Sequence, residues 1–528
     1  MIRRRTFLAA SAAMAAVPLR ACSDATGNPQ ILDTMKRATR FMVEKLSYRG
    51  GYLWAYLPDR SRVWGELEAY PTMVWVQPPG TATMGHLFLD SWAATGDDYY
   101  YDAAAKAAEA LIAGQEAEGG WNYFFDLAGP ESRKRWYDTI GANAWRLEEF
   151  QHDWGNATFD DQGTSEAIRF LIRMQAARGE ERFAPGLKKA VDFVFASQLD
   201  NGGWPQRWPP VADGGLHGKP DYSGYITFND GVISDNISML LTWYQASGDE
   251  RVLPAIRRGM DVYLACQQPA PQAGWGLQYT QDFKPAGART YEPKAMVTHT
   301  TATNISELME FYRLTGDAKY LARIPEALDW LESVRLPAEW QDGNRQFPTF
   351  VEIGTNRAMF VHRRGSNVVN GEYYVTYDPA NAIGHYNPRR SVDIPKLRAE
   401  YEALKAMPGE EASKDSPLKK GKQPLKRIWL AEIDAGSDKN SSADGKDAAT
   451  LASELNAEGW WPTQIKSISH PYRGPGPKEP VPGDFRSTDV GDSSDTSPYD
   501  VEDGPIAIST GTYINHMITL IKALQDEK

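Results

Sequence analysis

Apolar residues recur along this chain at helical spacing. Leu187, Ala190, Val191, Val194 and Phe195 fall at i, i+3, i+4, i+7 and i+8, and Ile324, Ala327, Leu328 and Leu331 repeat the pattern. Each set lines one face of an amphipathic helix. A second helical stretch precedes each Gly-Asp or Gly-Glu turn, as in TSEAIRFLIRMQAARGEE and ISDNISMLLTWYQASGDE. Glycine turns divide the two members of a pair: Thr95-Gly96-Asp97, Arg178-Gly179-Glu180, Ser247-Gly248-Asp249 and Thr315-Gly316-Asp317. Gly-Trp loops follow the second member, at Gly120-Trp121, Gly203-Trp204, Gly274-Trp275 and Gly459-Trp460, so the unit recurs about every 70 to 80 residues. Self-similarity at that period is the mark of stacked helical hairpins. Five or six pairs predict an all-α fold, an α/α toroid of repeated helical hairpins with long loop insertions.

Two of the loops read Q-x3-G-x-W, from Gln115 to Trp121 and from Gln198 to Trp204. The glutamine is expected to tie down a helix end and the tryptophan to pack between hairpins. Two segments interrupt the periodicity. Residues 407–450 are charged and rich in Ser, Lys and Asp, which predicts a surface insertion or disorder. Residues 468–505 are rich in Pro, Gly, Asp and Ser, and GTYINHMITLIKALQ then reads as a closing helix. The expected organisation is an export signal at 1–26, a toroid at 27–406, the charged insertion at 407–450, and an irregular loop with the closing helix of the same toroid at 451–528.

The N-terminus changes the picture. Arg4-Arg5-Thr6-Phe7-Leu8 and the Ala-rich stretch after it fit a twin-arginine signal, and Pro18 and Arg20 interrupt that stretch well short of a membrane span. Leu19-Arg20-Ala21-Cys22 looks like a lipoprotein cleavage box. The expected destination is therefore periplasmic, outer-membrane lipoprotein or extracellular, with membrane contact only through a lipid anchor at Cys22. The other cysteine, Cys266, has no partner within a mature chain and is expected in the core. A net charge of -12 argues against nucleic acid. The wealth of Trp, Tyr and Phe suits a carbohydrate groove, although much of it must be core. A monomer is expected.

Candidate chemistry lies in two places. Phe159-Asp160-Asp161-Gln162-Gly163-Thr164 and Thr227-Phe228-Asn229-Asp230-Gly231 each precede a helix. An Asp there is ordinarily an N-cap, but carboxylates gathered at one end of a toroid would make a Ca²⁺ site or an acid/base pair. The arginines are the second concentration: Arg289 in ARTYEP, and Arg357, Arg363 and Arg364 in TNRAMFVHRRG. Guanidinium forks grip carboxylates bidentately; the alternative is a solvated surface. No HExxH, CxxC pair, phosphate-cradling Gly-rich loop or G-x-S-x-G elbow is present. His299, His362 and His385 flank these segments.

GGWPQRWP at 202–209, followed by YITFND at 225–230, resembles the pectate lyases of polysaccharide lyase family ten. FDDQGTSEAIRFL, ARTYEP and FVEIGTNRAMFVHRRG resemble further segments of that family in the same order, over roughly residues 90–365. The resemblance implies β-elimination on an acidic polysaccharide such as pectate, with Ca²⁺ as cofactor. It places Asp160 on a functionally required aspartate, Arg289 on the catalytic base and Arg363 on a substrate-binding arginine. Asp160, Asp161 and Asp230 would hold the metal. Trp204, Arg357 and Lys294 join Arg363 as expected substrate contacts, and Lys294 is a fallback base. The family has an arginine where this chain has Thr349 and an arginine pair where it has VTYDPANA; Arg389-Arg390 lies farther on. Two other readings remain open: an α/α-toroid glycoside hydrolase using a carboxylate pair, and a non-catalytic glycan-binding surface lipoprotein.

Overall fold

A computed structural model describes residues 28–141, 148–211, 221–364, 372–383, 387–433, 438, 440–441, 445–465, 467–468, 499–500 and 505–526. The export signal, Cys22 and most of 468–505 lie outside the described residues. Fifteen α-helices occur among the described residues. They are α1 (Pro29–Phe41), α2 (Thr81–Thr95), α3 (Asp98–Ala113), α4 (Pro130–Thr139), α5 (Gly163–Arg178), α6 (Ala184–Ser197), α7 (Val232–Ser247), α8 (Val252–Cys266), α9 (Thr298–Thr315), α10 (Ile324–Ser333), α11 (Ile394–Lys405), α12 (Gly409–Ala412), α13 (Pro417–Lys420), α14 (Ala448–Glu454) and α15 (Thr510–Asp526).

The hairpins are α2–α3, α5–α6, α7–α8 and α9–α10, with α15 packed against α1. Neighbouring hairpins join through their first helices, in the order α15, α2, α5, α7, so these form the inner wall of an α/α toroid. The predicted glycine turns end the inner helices: Gly96, Gly179, Gly248 and Gly316 take φ of 74°, 66°, 77° and 72° as left-handed C-caps. Glycine reaches that conformation without the steric cost a side chain would bring. The predicted apolar faces are buried, including Leu187, Ala190, Val191 and Val194 on α6 and Ile324, Ala327, Leu328 and Leu331 on α10. Phe195 is half-buried at the edge of that face.

The Q-x3-G-x-W loops do the fastening expected of them. Gln115 donates to the carbonyls of Gly119 (2.7 Å) and Gly186 (3.0 Å), and Gln198 to those of Gly202 (2.9 Å) and Ala255 (2.8 Å). Each glutamine thus ties its own loop to the next outer helix. The indoles of Trp121, Trp204 and Trp275 donate inward to the carbonyls of Leu111, Val194 and Tyr263. Beyond each tryptophan the chain pairs with the segment leading into the next inner helix, as Thr158 N–H to Trp121 O, Thr227 N–H to Trp204 O and Val297 N–H to Trp275 O. All inner helices therefore start at the same rim.

Short strands decorate that rim. One of them is a four-stranded antiparallel sheet of Met296–Val297, Phe350–Val351, Ala358–Arg364 and Glu372–Thr376. At the other end, residues 407–433 form α12, α13 and a strap against α2 and α5. The Trp429 N–H donates to Asp90 on α2 (3.0 Å), Arg173 on α5 donates to the Arg427 carbonyl (3.1 Å), and Arg169 pairs with Glu432 (2.7 Å). The Trp429 ring stacks on His86 and lies under the guanidiniums of Arg169 and Arg173. No helix among the described residues is long and apolar enough to cross a membrane.

One consequence concerns stability. Asp235, in the first turn of α7, is raised to about 8 by burial first, with Arg169 opposing and Glu307 and Glu166 adding to the rise. Between the ordinary carboxylate range and pH ~8 the unfolded chain releases this proton and the folded one keeps it, so stability falls as pH rises through that window. Asp235→Asn is expected to raise the melting temperature by several degrees near pH ~9 and to leave it unchanged near pH ~3, as read by thermal scans at the two pH values.

Candidate active site

The two aspartate loops adopt the same backbone. Asp161 (φ 46°) and Gln162 (φ 62°) precede α5, and Asp230 (φ 51°) and Gly231 (φ 70°) precede α7, in the left-handed region. Phe159 and Phe228 lie buried at equivalent positions ahead of them. The expectation that these aspartates are N-caps is corrected: neither helix has a side-chain cap bond. The left-handed step turns the carboxylates across the rim instead. Oxygens of Asp160, Asp161 and Asp230, one from each, lie within 4.8 Å of one another.

Arg289 enters this cluster from the opposite side. It is 4% exposed. Its Nη2 lies 2.6 Å from Asp160 Oδ2, and its Nη1 lies 3.3 Å from Asp230 Oδ2 and 3.1 Å from Glu292 Oε1. Glu149 Oε2 stands 3.5 Å from its Nε. The ARTYEP segment is a tight turn in which the Glu292 N–H donates to the Arg289 carbonyl (2.8 Å) and the Arg289 N–H donates to Glu292 Oε2 (3.1 Å). Backbone and guanidinium are thus held by one glutamate. Tyr291 of this turn packs edge-on against Tyr373, which anchors it to the four-stranded sheet.

Further donors surround the carboxylates. The Tyr123 hydroxyl donates to Asp160 Oδ2, Gln77 Nε2 to Asp161 Oδ2 (2.7 Å) and to Glu66 Oε2 (2.8 Å), and Asn229 Nδ2 to Asp230 Oδ2 (2.6 Å) and Glu292 Oε1 (3.2 Å). Arg207 is buried behind Tyr123 and donates to Asn122 and Asn156 (3.3 Å each). Asp160 Oδ1 is buried and accepts no hydrogen bond among the described residues.

Charge does not balance here. Six carboxyl groups (Glu66, Glu149, Asp160, Asp161, Asp230, Glu292) face two guanidiniums, those of Arg207 and Arg289. Burial works most strongly against ionisation of Asp160, but Arg289, the Asp230 and Tyr123 hydrogen bonds and Arg207 together hold it below its ordinary value. Asp161 is pushed well up by burial, then by Asp160 and Glu66. Asp230 is pushed well up by burial, then by Asp160 and Asp161. An all-oxygen donor set with surplus negative charge and an oxygen left without a donor fits a hard divalent cation such as Ca²⁺.

The remaining expected contacts are scattered. Trp204 is fully buried with its indole committed to Val194, so the expectation that it stacks on a sugar is replaced by a core role. Trp204→Ala is expected to cost about 3–5 kcal/mol of stability, measured by denaturant unfolding. Arg357 is exposed and lies 3.4 Å over the Tyr377 ring, and Lys294 is exposed. Among the described residues neither joins the carboxylate cluster. Arg363 lies on a strand opposite Tyr373; its side chain and His385 lie outside the described residues. Arg390 Nε donates to Thr349 Oγ1 (3.3 Å), because the Arg389–Arg390 strand pairs with Phe347–Pro348. His362 donates or accepts within its own hairpin, bonded to Thr376 (2.7 Å), and burial with Arg390 holds His299 down to about 3.

Glu149, Glu292, Gln77 and Tyr123 were not foreseen. Glu292 follows Arg289 by three residues in the quoted ARTYEP, and Tyr123 follows the Gly-Trp loop by two, so spacing offered a signal for both. Glu149 and Gln77 carry none.

A family match over the segment that carries this site gives the class, a helical-toroid polysaccharide lyase. Residues 136–378 match the family described as pectic acid lyase. No curated protein matches the chain. A family 10 polysaccharide lyase from Cellvibrio cellulosa, solved as a mutant with trigalacturonic acid, is 19% identical, with 53% of this chain and 85% of that one covered at a TM-score of 0.36. A cellobiose 2-epimerase from Spirochaeta thermophila is 12% identical over 94% of this chain and 97% of that one, with a TM-score of 0.42. An α-1,6-mannanase from Salegentibacter is likewise 12% identical, covering 94% and 98% at 0.36.

Proposed function

We propose that this protein cleaves a uronate-containing polysaccharide, pectate or a related polymer, by Ca²⁺-assisted β-elimination. The observation that carries the reading is the meeting of Arg289 with Asp160, Asp161 and Asp230 at the rim of the toroid. Elimination removes the proton α to the uronate carboxylate and expels the glycosidic oxygen from the neighbouring carbon. Arg289 takes the proton in its neutral guanidine form, which alkaline pH favours. Its Nη atoms are already oriented by Asp160, Asp230 and Glu292, so no reorganisation is needed at the moment of reaction. Asp160 fixes the guanidinium with a 2.6 Å bond, and Tyr123 in turn fixes Asp160. Asp160, Asp161 and Asp230 would hold the cation. Bound there, it would neutralise the substrate carboxylate and acidify the neighbouring C–H.

Substrate contacts in this reading come from Arg363 and Arg357 on the hairpin beside the site, with Lys294 at its edge. Arg390, brought beside Thr349, supplies a further cation on the same side. The protein acts as an exported monomer, periplasmic, lipid-anchored through Cys22 or extracellular. The deciding experiment is an absorbance assay for the conjugated double bond on polygalacturonate, alginate, ulvan and glucuronan with added Ca²⁺. Reducing ends appearing without that absorbance would replace elimination by hydrolysis, and binding without product would leave a capture protein.

A further inference from the structure

Six cations crowd one exposed stretch of the strap, at the end of the toroid away from the aspartates. From Lys414 to Arg427 the chain carries Lys414, Lys419, Lys420, Lys422, Lys426 and Arg427 against a single acid, Asp415, although its net charge is -12. The stretch is two-faced. Leu418, Leu425 and Ile428 pack against the core, and Ser413 and Ser416 are buried. All six cations are exposed. Lys420 pairs with Asp415 (2.7 Å) and Lys426 approaches Glu432 (3.7 Å), whereas Lys414, Lys419, Lys422 and Arg427 form no salt bridge among the described residues.

The strap crosses the turns in which the inner helices end. Gly409 faces the Gly316 turn, Lys422 faces the Gly248 turn, and the Gln423 N–H donates to the Gln245 carbonyl (2.8 Å). The acids of these turns already have cations of their own: Asp98 pairs with Arg178, Glu180 with Arg182, Asp249 with Arg251 and Asp317 with Lys319. Balancing them does not account for the strap's charge. The N-terminal helix locates a second feature at the same end. α1 runs toward the rim, because Phe41 at its close packs on Trp460 (6.2 Å), whose loop continues into the strand paired with the entry to α15, while Lys36 pairs with Asp97 beside the Gly96 turn. The start of α1 therefore points to the strap's end. Asn28 follows Cys22 by six residues, a span of at most about 20 Å.

We propose that the Lys414–Arg427 strap docks on an anionic lipid surface. Exposed lysines and arginines are drawn to acidic headgroups cation by cation, and the attraction fades beyond a Debye length. Four cations without an ionic partner on one stretch fit that chemistry. An acidic polysaccharide is the other polyanion to consider. A polymer gripped by the strap would lie at the end of the toroid away from Arg289 and the aspartates, so holding it there would not present it to them. A bilayer at the strap has the opposite effect: it turns the rim outward, where a polymer arrives from solution. A lipid on Cys22 would fix only the distance to the membrane. The strap selects which face of the toroid meets it, and does so with or without that lipid.

The test uses the chain from Ser23, which keeps every described residue and has no cysteine to acylate, with vesicles of phosphatidylcholine alone or with about one-third phosphatidylglycerol. The protein is expected to sediment with the anionic vesicles at about 50 mM salt, to leave them at about 500 mM, and to ignore the neutral ones. A variant combining Lys414→Gln, Lys419→Gln, Lys422→Gln and Arg427→Gln is expected to bind the anionic vesicles at least about tenfold more weakly, with its melting temperature and its affinity for soluble polygalacturonate unchanged. Equal binding to both vesicles, binding to neither, or binding indifferent to the four substitutions would overturn the proposal. So would a loss of polygalacturonate affinity in the variant, which would make the strap a polysaccharide surface instead. None of these outcomes bears on the elimination chemistry at the rim.

Discussion

Arg289→Ala is expected to reduce kcat by at least about a thousandfold, because the residue serves as the base and its side chain organises the cluster. The guanidinium contacts Asp160, Asp230, Glu292 and Glu149 at 2.6 to 3.5 Å. Deleting it leaves four carboxyl groups without their shared partner. Arg289→Lys keeps the charge, but a single ammonium cannot hold Asp160 on one nitrogen and Asp230 and Glu292 on another. It is therefore expected to restore folding stability more than activity. Initial rates of double-bond absorbance, taken beside melting temperatures, separate the two losses. Comparable rates for wild type and Arg289→Ala would remove the residue from the chemistry.

The second large effect is cation dependence. A chelator is expected to abolish the absorbance change, with recovery on adding Ca²⁺ and little on adding Mg²⁺, whose strict octahedral geometry a strained carboxylate trio serves poorly. A readout independent of turnover is available. Ligand binding to the folded state alone stabilises by RT ln(1 + [L]/Kd), about 2.7 kcal/mol at a hundredfold excess over Kd, so Ca²⁺ should raise the melting temperature. Asp161→Asn and Asp230→Asn are each expected to move the Ca²⁺ midpoint at least about tenfold upward. In the bare site burial and neighbouring carboxyls push both well up, which favours their protons. Cation binding must expel those protons, so apparent affinity is expected to weaken as pH falls. A melting temperature indifferent to Ca²⁺ in both wild type and variants would contradict the site.

The helical plan was readable because repeats constrain sequence at every turn. Gly96, Gly179, Gly248 and Gly316 each mark a left-handed C-cap, and Gln115 and Gln198 each reach the next outer helix. Asp160, Asp161, Asp230 and Arg289 were nameable from the motifs around them, but their convergence was not, since two loops and a turn up to 129 residues apart meet only in the fold. Their backbone was misread. An aspartate ahead of a helix ordinarily caps it, and nothing in the residue letters announces the left-handed step at Asp161 and Asp230 that denies them that job. Trp204 failed as a sugar platform for a related reason: the indole N–H had to find a buried acceptor, and Val194 offered one. Glu149 was invisible because its neighbourhood is made by Phe150 and Arg289, neither of which forms a pattern with it in sequence.

Asp161, Gln162 and Asp230 hold a backbone shape that glycine would adopt at less cost. Each such step disfavours the folded state by roughly 1 kcal/mol for a residue with a side chain. Selection for thermal robustness alone would therefore drift these positions toward glycine and lose the carboxylates at Asp161 and Asp230. An engineer screening this enzyme for durability would meet a ready source of false success: variants at the rim that outlast the parent and do nothing.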